Sequence, residues 1–267
     1  VVWEIVNRLM FVLVLVGLGA LLLASVGGLY MSRRAMRPVR DAFDRQRAFV
    51  ADASHELKTP LTLVRADAEV LSRGLTEPDQ QELVDDLLGE TDRMNAVLSD
   101  LLLLTRLDAG KLTVSREPFS LTTVAIETAE RFGARAAAEE IFLEVDVPGK
   151  LMARGDLERT GQILAALLDN AVMFTPRGGC VTVTGRSGDG WAEVSVMDTG
   201  PGIAEEHMPR VFDRFYRVEA ARTRAGGGTG LGLAIARDLA RAQGGELEAG
   251  NIKNGGASFT LRLPAGS

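Results

Sequence analysis

The stretch "WAEVSVMDTGPG", Trp191 to Gly202, decides how the second half of this chain is read. Ala192, Val194 and Val196 alternate with Glu193 and Ser195, the period-two pattern of a strand with one buried face. At Asp198 the pattern stops and a turn rich in glycine and proline begins. Outward from it, "CVTVTGR" (180–186) alternates in the same way, while "LGLAIARDLARA" (231–242) has a helical period. Continuing the reading predicts helices over 121–138, 156–174 and 231–243. It predicts strands over 141–147, 180–186, 191–198, 246–250 and 257–263. The expected fold of residues 117–264 is an α/β two-layer sandwich, helices on a mixed sheet.

The region before it is helical. Val39, Ala42, Phe43, Gln46, Phe49, Val50, Ala53 and Leu57 recur at steps of three and four residues, as in a coiled coil or helical bundle. Within this run lies "ASHELKTPLT", Ala53 to Thr62, holding one of the two histidines of the 267-residue chain. At about 100° per residue, His55 falls roughly 180° from the apolar stripe, and Thr59 lies one turn on, on the same outer face. Pro60 bends the helix there. A second helix is expected from Asp79 to Asp108, with Leu83, Leu87, Met94, Leu98, Leu101 and Thr105 as its stripe. The short connection "SRGLTEP" makes the pair an antiparallel hairpin. One hairpin cannot bury both apolar faces, so the economical solution is a homodimer, an all-α hairpin forming a dimeric four-helix bundle.

Leu9 to Met31 contains no charged residue. It spans roughly 34 Å as a helix, enough for one transmembrane helix. Arg33, Arg34, Arg37 and Arg40 follow it, which places the remainder on the cytoplasmic side. A cleaved signal peptide would carry its basic cluster at the other end. Residues 1–8 then form an extracytoplasmic stub, too short for a sensor domain, and 32–44 a juxtamembrane signalling helix. The chain begins at Val1 rather than Met, which fits a piece lacking an upstream part. The net charge of −6 argues against a nucleic-acid binder. The lone Cys180 excludes an internal disulfide and reads as a small buried hydrophobe. The second histidine, His207, reads as a solvated residue at a helix start. With no other His or Cys cluster, no structural metal is expected.

Three motifs in the α/β unit carry chemistry. Asn170, in "LLDNAVMFTP", offers an amide oxygen, a hard ligand suited to Mg²⁺. Asp198, in "DTGPG", is a carboxylate at a strand end with glycines that let a ligand approach the backbone. "GGGTGLGLAI", Gly226 to Ile235, opens a helix whose free N–H groups can meet phosphates. Taken singly, each also reads as an ordinary turn or helix.

Their combination is specific. "SHELKTPL" resembles the phosphoacceptor box of sensor histidine kinases. The order of N motif, DxGxG, "FDRFYR" (Phe212 to Arg217) and GxGLG resembles the Bergerat ATP-binding fold that these kinases share with gyrase. The resemblance covers about residues 33–264. It implies a dimerisation and phosphotransfer domain at 45–111 and a catalytic ATP-binding domain at 117–264. By resemblance, His55 takes the γ-phosphate of ATP, Glu56 handles its ring proton, and Thr59 serves dephosphorylation of the partner. Asp198 binds adenine and Asn170 holds Mg²⁺. Gly200, Gly202, Phe212, Arg214 and Arg217 line the nucleotide side. A lid over about 217–229, with Gly228, Thr229, Gly230, Leu231 and Gly232, closes over the phosphates.

The implied protein is an ATP- and Mg²⁺-dependent histidine kinase of the inner (cytoplasmic) membrane. It passes its phosphoryl group to an aspartate in a response regulator receiver domain. Two departures stand out: Ala166 replaces a common asparagine and Met173 a common lysine, and Arg214 or Arg217 is the candidate for the missing charge. They keep open a degenerate kinase serving as a dimeric adaptor. A Bergerat-fold ATPase without phosphotransfer is the third reading, opposed by the "SHELKTPL" box. The usual relay of about fifty residues between membrane and phosphoacceptor helix is absent, so the membrane helix is expected to run almost directly into the bundle.

Overall fold

The structure is a computed structural model. It describes residues 3–4, 8, 10–11, 13–23, 25, 57–58, 61–72, 78–218, 229–253 and 255–266. His55, Glu56, Thr59 and Gly228 lie outside these residues. The chain divides into two compact units, Val1–Ala53 and Ser54–Ser267.

In the first unit, residues 10, 11 and 13–23 are helical, with every side chain exposed. Among the described residues no helix is long and apolar enough to cross a membrane. The expected span Leu9–Met31 lies partly outside them.

The second unit opens with helical residues 61–72 and a long helix α1, Pro78–Asp108. Arg65 pairs with both Glu69 on its own helix and Asp92 on α1. Leu83, Leu87 and Met94, the N-terminal part of the expected stripe, are exposed together with Leu63, Val64, Val70 and Leu71. At its C-terminal part Leu98 is buried and Leu101 and Thr105 are half-buried, while Leu102 and Leu104, outside the expected stripe, are buried. Leu104 belongs to the same apolar core as the α/β elements, and Leu101, Leu103 and Leu107 pack against it. The end of the helix is thereby built into the α/β unit.

That unit runs β1 (Glu117–Ser120), α2 (Leu121–Ala138), β2 (Phe142–Asp146), β3 (Met152–Gly155), α3 (Leu157–Phe174), β4 (Cys180–Gly188) and β5 (Trp191–Asp198). A 3₁₀ turn at Met208–Arg210, α4 (Gly232–Ala242), β6 (Glu246–Asn251) and β7 (Ala257–Pro264) complete it. The main sheet has the order β2-β4-β5-β7-β6, with β2 parallel to β4 and the other pairs antiparallel. β1 and β3 form a separate two-stranded sheet that the sequence reading did not anticipate.

One face of the main sheet is the core. Ala192, Val194 and Val196 of β5 and Ala257, Phe259, Leu261 and Leu263 of β7 are buried. They meet Ile163, Leu164, Leu167 and Leu168 of α3 and Ile235 and Leu239 of α4. The opposite face is polar. Arg186, Glu193, Arg262 and Glu248 form a run of ion pairs across four strands, and Ser195 and Thr260 share a hydrogen bond of 2.8 Å. Such cross-strand pairs favour this register.

The helices are placed by their ends. Ser120 caps α2 by accepting from Thr123 N–H, and Asp156 caps α3 by accepting from Arg159 N–H, each satisfying a donor that the first turn leaves open. Gln243, buried just past α4, accepts from Asp156 N–H at 2.7 Å and from the Thr160 hydroxyl at 3.2 Å. This ties the end of α4 to the start of α3.

Candidate functional site

The alternation that buries Val194 and Val196 also buries the last residue of β5, Asp198, which is 2% exposed. A carboxylate thus occupies a core-facing position. Its Oδ1 accepts from Gly200 N–H at 2.8 Å and from Ala257 N–H at 3.2 Å. Burial pushes its pKa up, opposed by the Ala257 and Gly200 N–H groups.

The surrounding backbone comes so close that side chains are excluded. A Cβ on Gly200 would stand 2.8 Å from both Asp198 Oδ1 and the Phe174 carbonyl oxygen. Gly202 has φ +75°, a conformation that glycine adopts without strain. The turn is clamped by Asn251, whose amide donates to Ile203 O at 2.7 Å and accepts from Ile203 N–H at 2.8 Å. Thr199 Oγ1 accepts from Cys180 N–H. Cys180 itself is half-buried, its Sγ 3.6 Å from Thr182 Oγ1, rather than fully in the core.

Asn170 and Met173 lie half-buried on α3. Ala166, one turn before Asn170, faces the first residue of α4: a Cβ on Gly232 would be 3.8 Å from that of Ala166. Two segments of chain meet just before α4. Phe215 N–H donates to Gly230 O at 2.9 Å, and both residues have positive φ, 61° and 73°. Leu231 N–H donates to Thr229 Oγ1, Leu231 is buried, and Gly232 opens α4.

Phe212 is a core residue. Its ring meets Phe259 edge-on at 6.3 Å, and the Arg237 guanidinium lies over it at 5.0 Å. Arg217 is half-buried. Arg214 is committed elsewhere: its guanidinium grips Asp108 with two bonds of 2.7 and 2.6 Å and reaches Asp238 at 3.2 Å. His207 is not solvated as expected. It is half-buried and shares a 2.7 Å hydrogen bond with the Tyr216 hydroxyl, whose ring lies under Arg210.

The structure therefore brings Asp198, Gly200 and Gly202 into one cradle, and Gly230, Leu231 and Gly232 together at the start of α4. Sequence reasoning missed Asn251 and also Gly256, whose lack of a side chain lets it pass against the Asp198 carbonyl. The turn composition of "NIKNGG" (251–256) is the signal that marks them.

Residues 45–110 match the His Kinase A (phospho-acceptor) domain family. Residues 155–267 match the histidine kinase-, DNA gyrase B- and HSP90-like ATPase family. The signal transduction histidine-protein kinase BaeS of Escherichia coli is 32% identical over 82% of this chain and 47% of its own length. The sensor protein SrrB of Staphylococcus aureus is 32% identical over 89% of this chain and 41% of its own length. The chain thus spans less than half of these relatives. Among solved structures, full-length ShkA in complex with AMPPNP superposes with a TM-score of 0.72 at 31% identity, over 82% of this chain and 46% of that one. The Acinetobacter baumannii histidine kinase AdeS gives 0.60 at 25% identity, over 80% of this chain and 98% of that one. Carrying both domains in this order, the chain belongs to the histidine kinases.

Proposed function

We propose that the chain is the kinase part of a sensor that phosphorylates its own His55 from Mg-ATP. The phosphoryl group then passes to an aspartate of a response regulator receiver domain. The observation that carries this reading is Asp198: a buried carboxylate at a strand end, in a cradle of glycines, on the same chain as a phosphoacceptor domain. Its free oxygen side suits the adenine amino group, a donor that a buried acceptor recognises strongly. Gly200 and Gly202 leave room for the base. Gly230 and Gly232, with Thr229 and Leu231, lie next to the open N–H groups of α4, and with Gly228 they would belong to a lid that closes over the phosphates. Phe212 supports this segment from the core, and Arg217 is the second cation that the motif offers.

The donor set also fits Mg²⁺. Among the described residues no group of three or more His, Cys, Asp or Glu could hold a metal. Mg²⁺ needs little more than one protein ligand when phosphates and waters supply the rest, and Asn170 offers that ligand. The ion would neutralise charge developing on the transferring group. On the acceptor side, a ring nitrogen of His55 attacks the γ-phosphorus, the bond to the β–γ bridging oxygen breaks, and the other ring nitrogen gives its proton to Glu56. Thr59 would orient water when the same protein dephosphorylates the regulator.

Two further expectations belong to this proposal. The exposed apolar residues Leu63, Val64, Leu83, Leu87 and Met94 support pairing with a second copy. The uncharged run Leu9–Met31 followed by four arginines supports anchoring in the cytoplasmic membrane, with the catalytic part in the cytoplasm. Ala166 and Met173 favour the rival reading of a degenerate adaptor. Incubation with γ-labelled ATP separates the readings. Acid-labile label on the protein, lost in His55→Ala with nucleotide binding retained, is the expected result. Free labelled phosphate alone identifies an ATPase, and neither product identifies an adaptor.

A further inference from the structure

We propose that Arg214 is a positioning residue: it pins the base of the nucleotide lid to the last turn of the long helix α1. The sequence reading placed this arginine beside the phosphates. In the structure Nη1 donates to Asp108 Oδ2 at 2.7 Å and Nη2 to Asp108 Oδ1 at 2.6 Å, a two-pronged pairing with the last residue of α1. Nη2 also reaches Asp238 Oδ2 on α4 at 3.2 Å. One guanidinium therefore joins the end of the bundle helix, the segment entering the lid and the helix leaving it.

Isolated surface ion pairs contribute little, but a bidentate arginine–carboxylate pair within a network of three charges is the favourable exception. The two aspartates hold the arginine firmly charged. Moving it toward phosphates would leave both carboxylates without this partner, beside an apolar contact made by Leu104 and Leu107. The next residue, Phe215, carries the 2.9 Å bond to Gly230 O that closes the lid base. A displacement of the end of α1 is thus delivered through Asp108 and Arg214 to both ends of the lid. The pin sets where the bound nucleotide stands relative to the helices without touching it.

This inference rests on the kinase reading for its kinetic consequence. Its test uses Asp108→Asn, Arg214→Gln and the charge exchange D108R/R214D in the full chain. Calorimetry with ADP gives nucleotide affinity. Single-turnover labelling at saturating γ-labelled ATP gives the rate. Hydrogen exchange reports the backbone of 105–116 and 212–216. Each single variant is expected to keep its Kd within about twofold, to label about tenfold more slowly, as expected for lost positioning, and to exchange faster in both stretches. The charge exchange should recover part of the rate and the protection, since it restores the contact to residue 108 while setting a carboxylate against Asp238. Affinity that falls in step with the rate would return Arg214 to the nucleotide site. Unchanged rate and exchange, or no recovery in the exchanged pair, would also overturn the pin. If the wild type takes no label, the kinase reading fails, and exchange with its recovery in D108R/R214D still decides the pin.

Discussion

Gly256 sits directly against the backbone of Asp198: a Cβ there would lie 1.8 Å from the Asp198 carbonyl oxygen. Gly256 also has φ +101°, so both contact and conformation demand glycine. The strand end that carries the buried carboxylate is seated on a residue with no side chain. Gly256→Ala should destabilise the α/β unit by roughly 2–4 kcal/mol and weaken ADP binding in the same variant. Urea unfolding and calorimetry measure the two. An unchanged unfolding midpoint would mean that the β6–β7 turn relaxes freely and does not support Asp198.

Asp198→Asn isolates the proposed recognition of adenine. The substituted amide oxygen can still accept from Gly200 and Ala257, so the turn should survive. The second acceptor becomes an NH₂ donor, which faces the adenine amino group donor to donor. Affinity for ADP should fall about ten- to a hundredfold, the cost of a mismatched buried polar pair. Because burial raises the pKa of this carboxyl, folding stability at neutral pH should not decrease. Unaltered affinity would remove Asp198 from the adenine site.

What the sequence made legible follows from where its signals are local. Helix 121–138 is found at those limits as Leu121–Ala138, and the strand before Asp198 ends where alternation ends. Hydrophobic period and capping residues encode such elements within a few turns. β1 and β3 were illegible because each has four residues, too few to display a period. The partners of Arg214 were illegible for a different reason. Asp108 lies 106 positions away, and no local pattern tells a cation which carboxylate the fold will bring to it. The clamp of Asn251 on Ile203, 48 positions apart, is the same kind of fact. The phosphoacceptor stretch shows the converse: "SHELKTPL" is legible as a motif, although His55 lies outside the described residues.

Asp100 gives a pH test of how α1 meets the α/β unit. It lines a cleft of about 510 Å³ together with Lys58, Arg106, Arg159 and Gln162. Burial raises its pKa from 3.8 to about 6. The folded chain therefore holds this proton more tightly than the unfolded chain. The resulting stabilisation is complete below about pH 4 and is lost as pH rises through about 6. Asp100→Asn removes the ionised form, so it should be more stable than wild type at pH 8 by roughly 1–2 kcal/mol after screening. At pH 4 that advantage should vanish. Urea midpoints of both proteins at the two pH values check this, and an equal difference at both would show that Asp100 is not desolvated by the contact.

Ala166→Asn addresses the first departure of the N motif. Ala166 faces Gly232 at the start of α4, with Asn170 one turn further along α3, so position 166 is next to the proposed phosphate side. The added amide has somewhere to go, since Ala166 also borders the cleft lined by Gln162 and Arg159. A carbonyl oxygen there adds a second hard ligand beside Asn170. The gain should depend on the ion. In Mg²⁺ the variant should bind ATP about threefold to tenfold more tightly, the worth of one net hydrogen bond. In EDTA its affinity should stay near that of wild type. Calorimetry with a non-hydrolysable ATP analogue in each buffer reads the difference directly. Equal affinities in Mg²⁺ would mean that position 166 does not reach the metal or the phosphates, and that its alanine is no defect in this site.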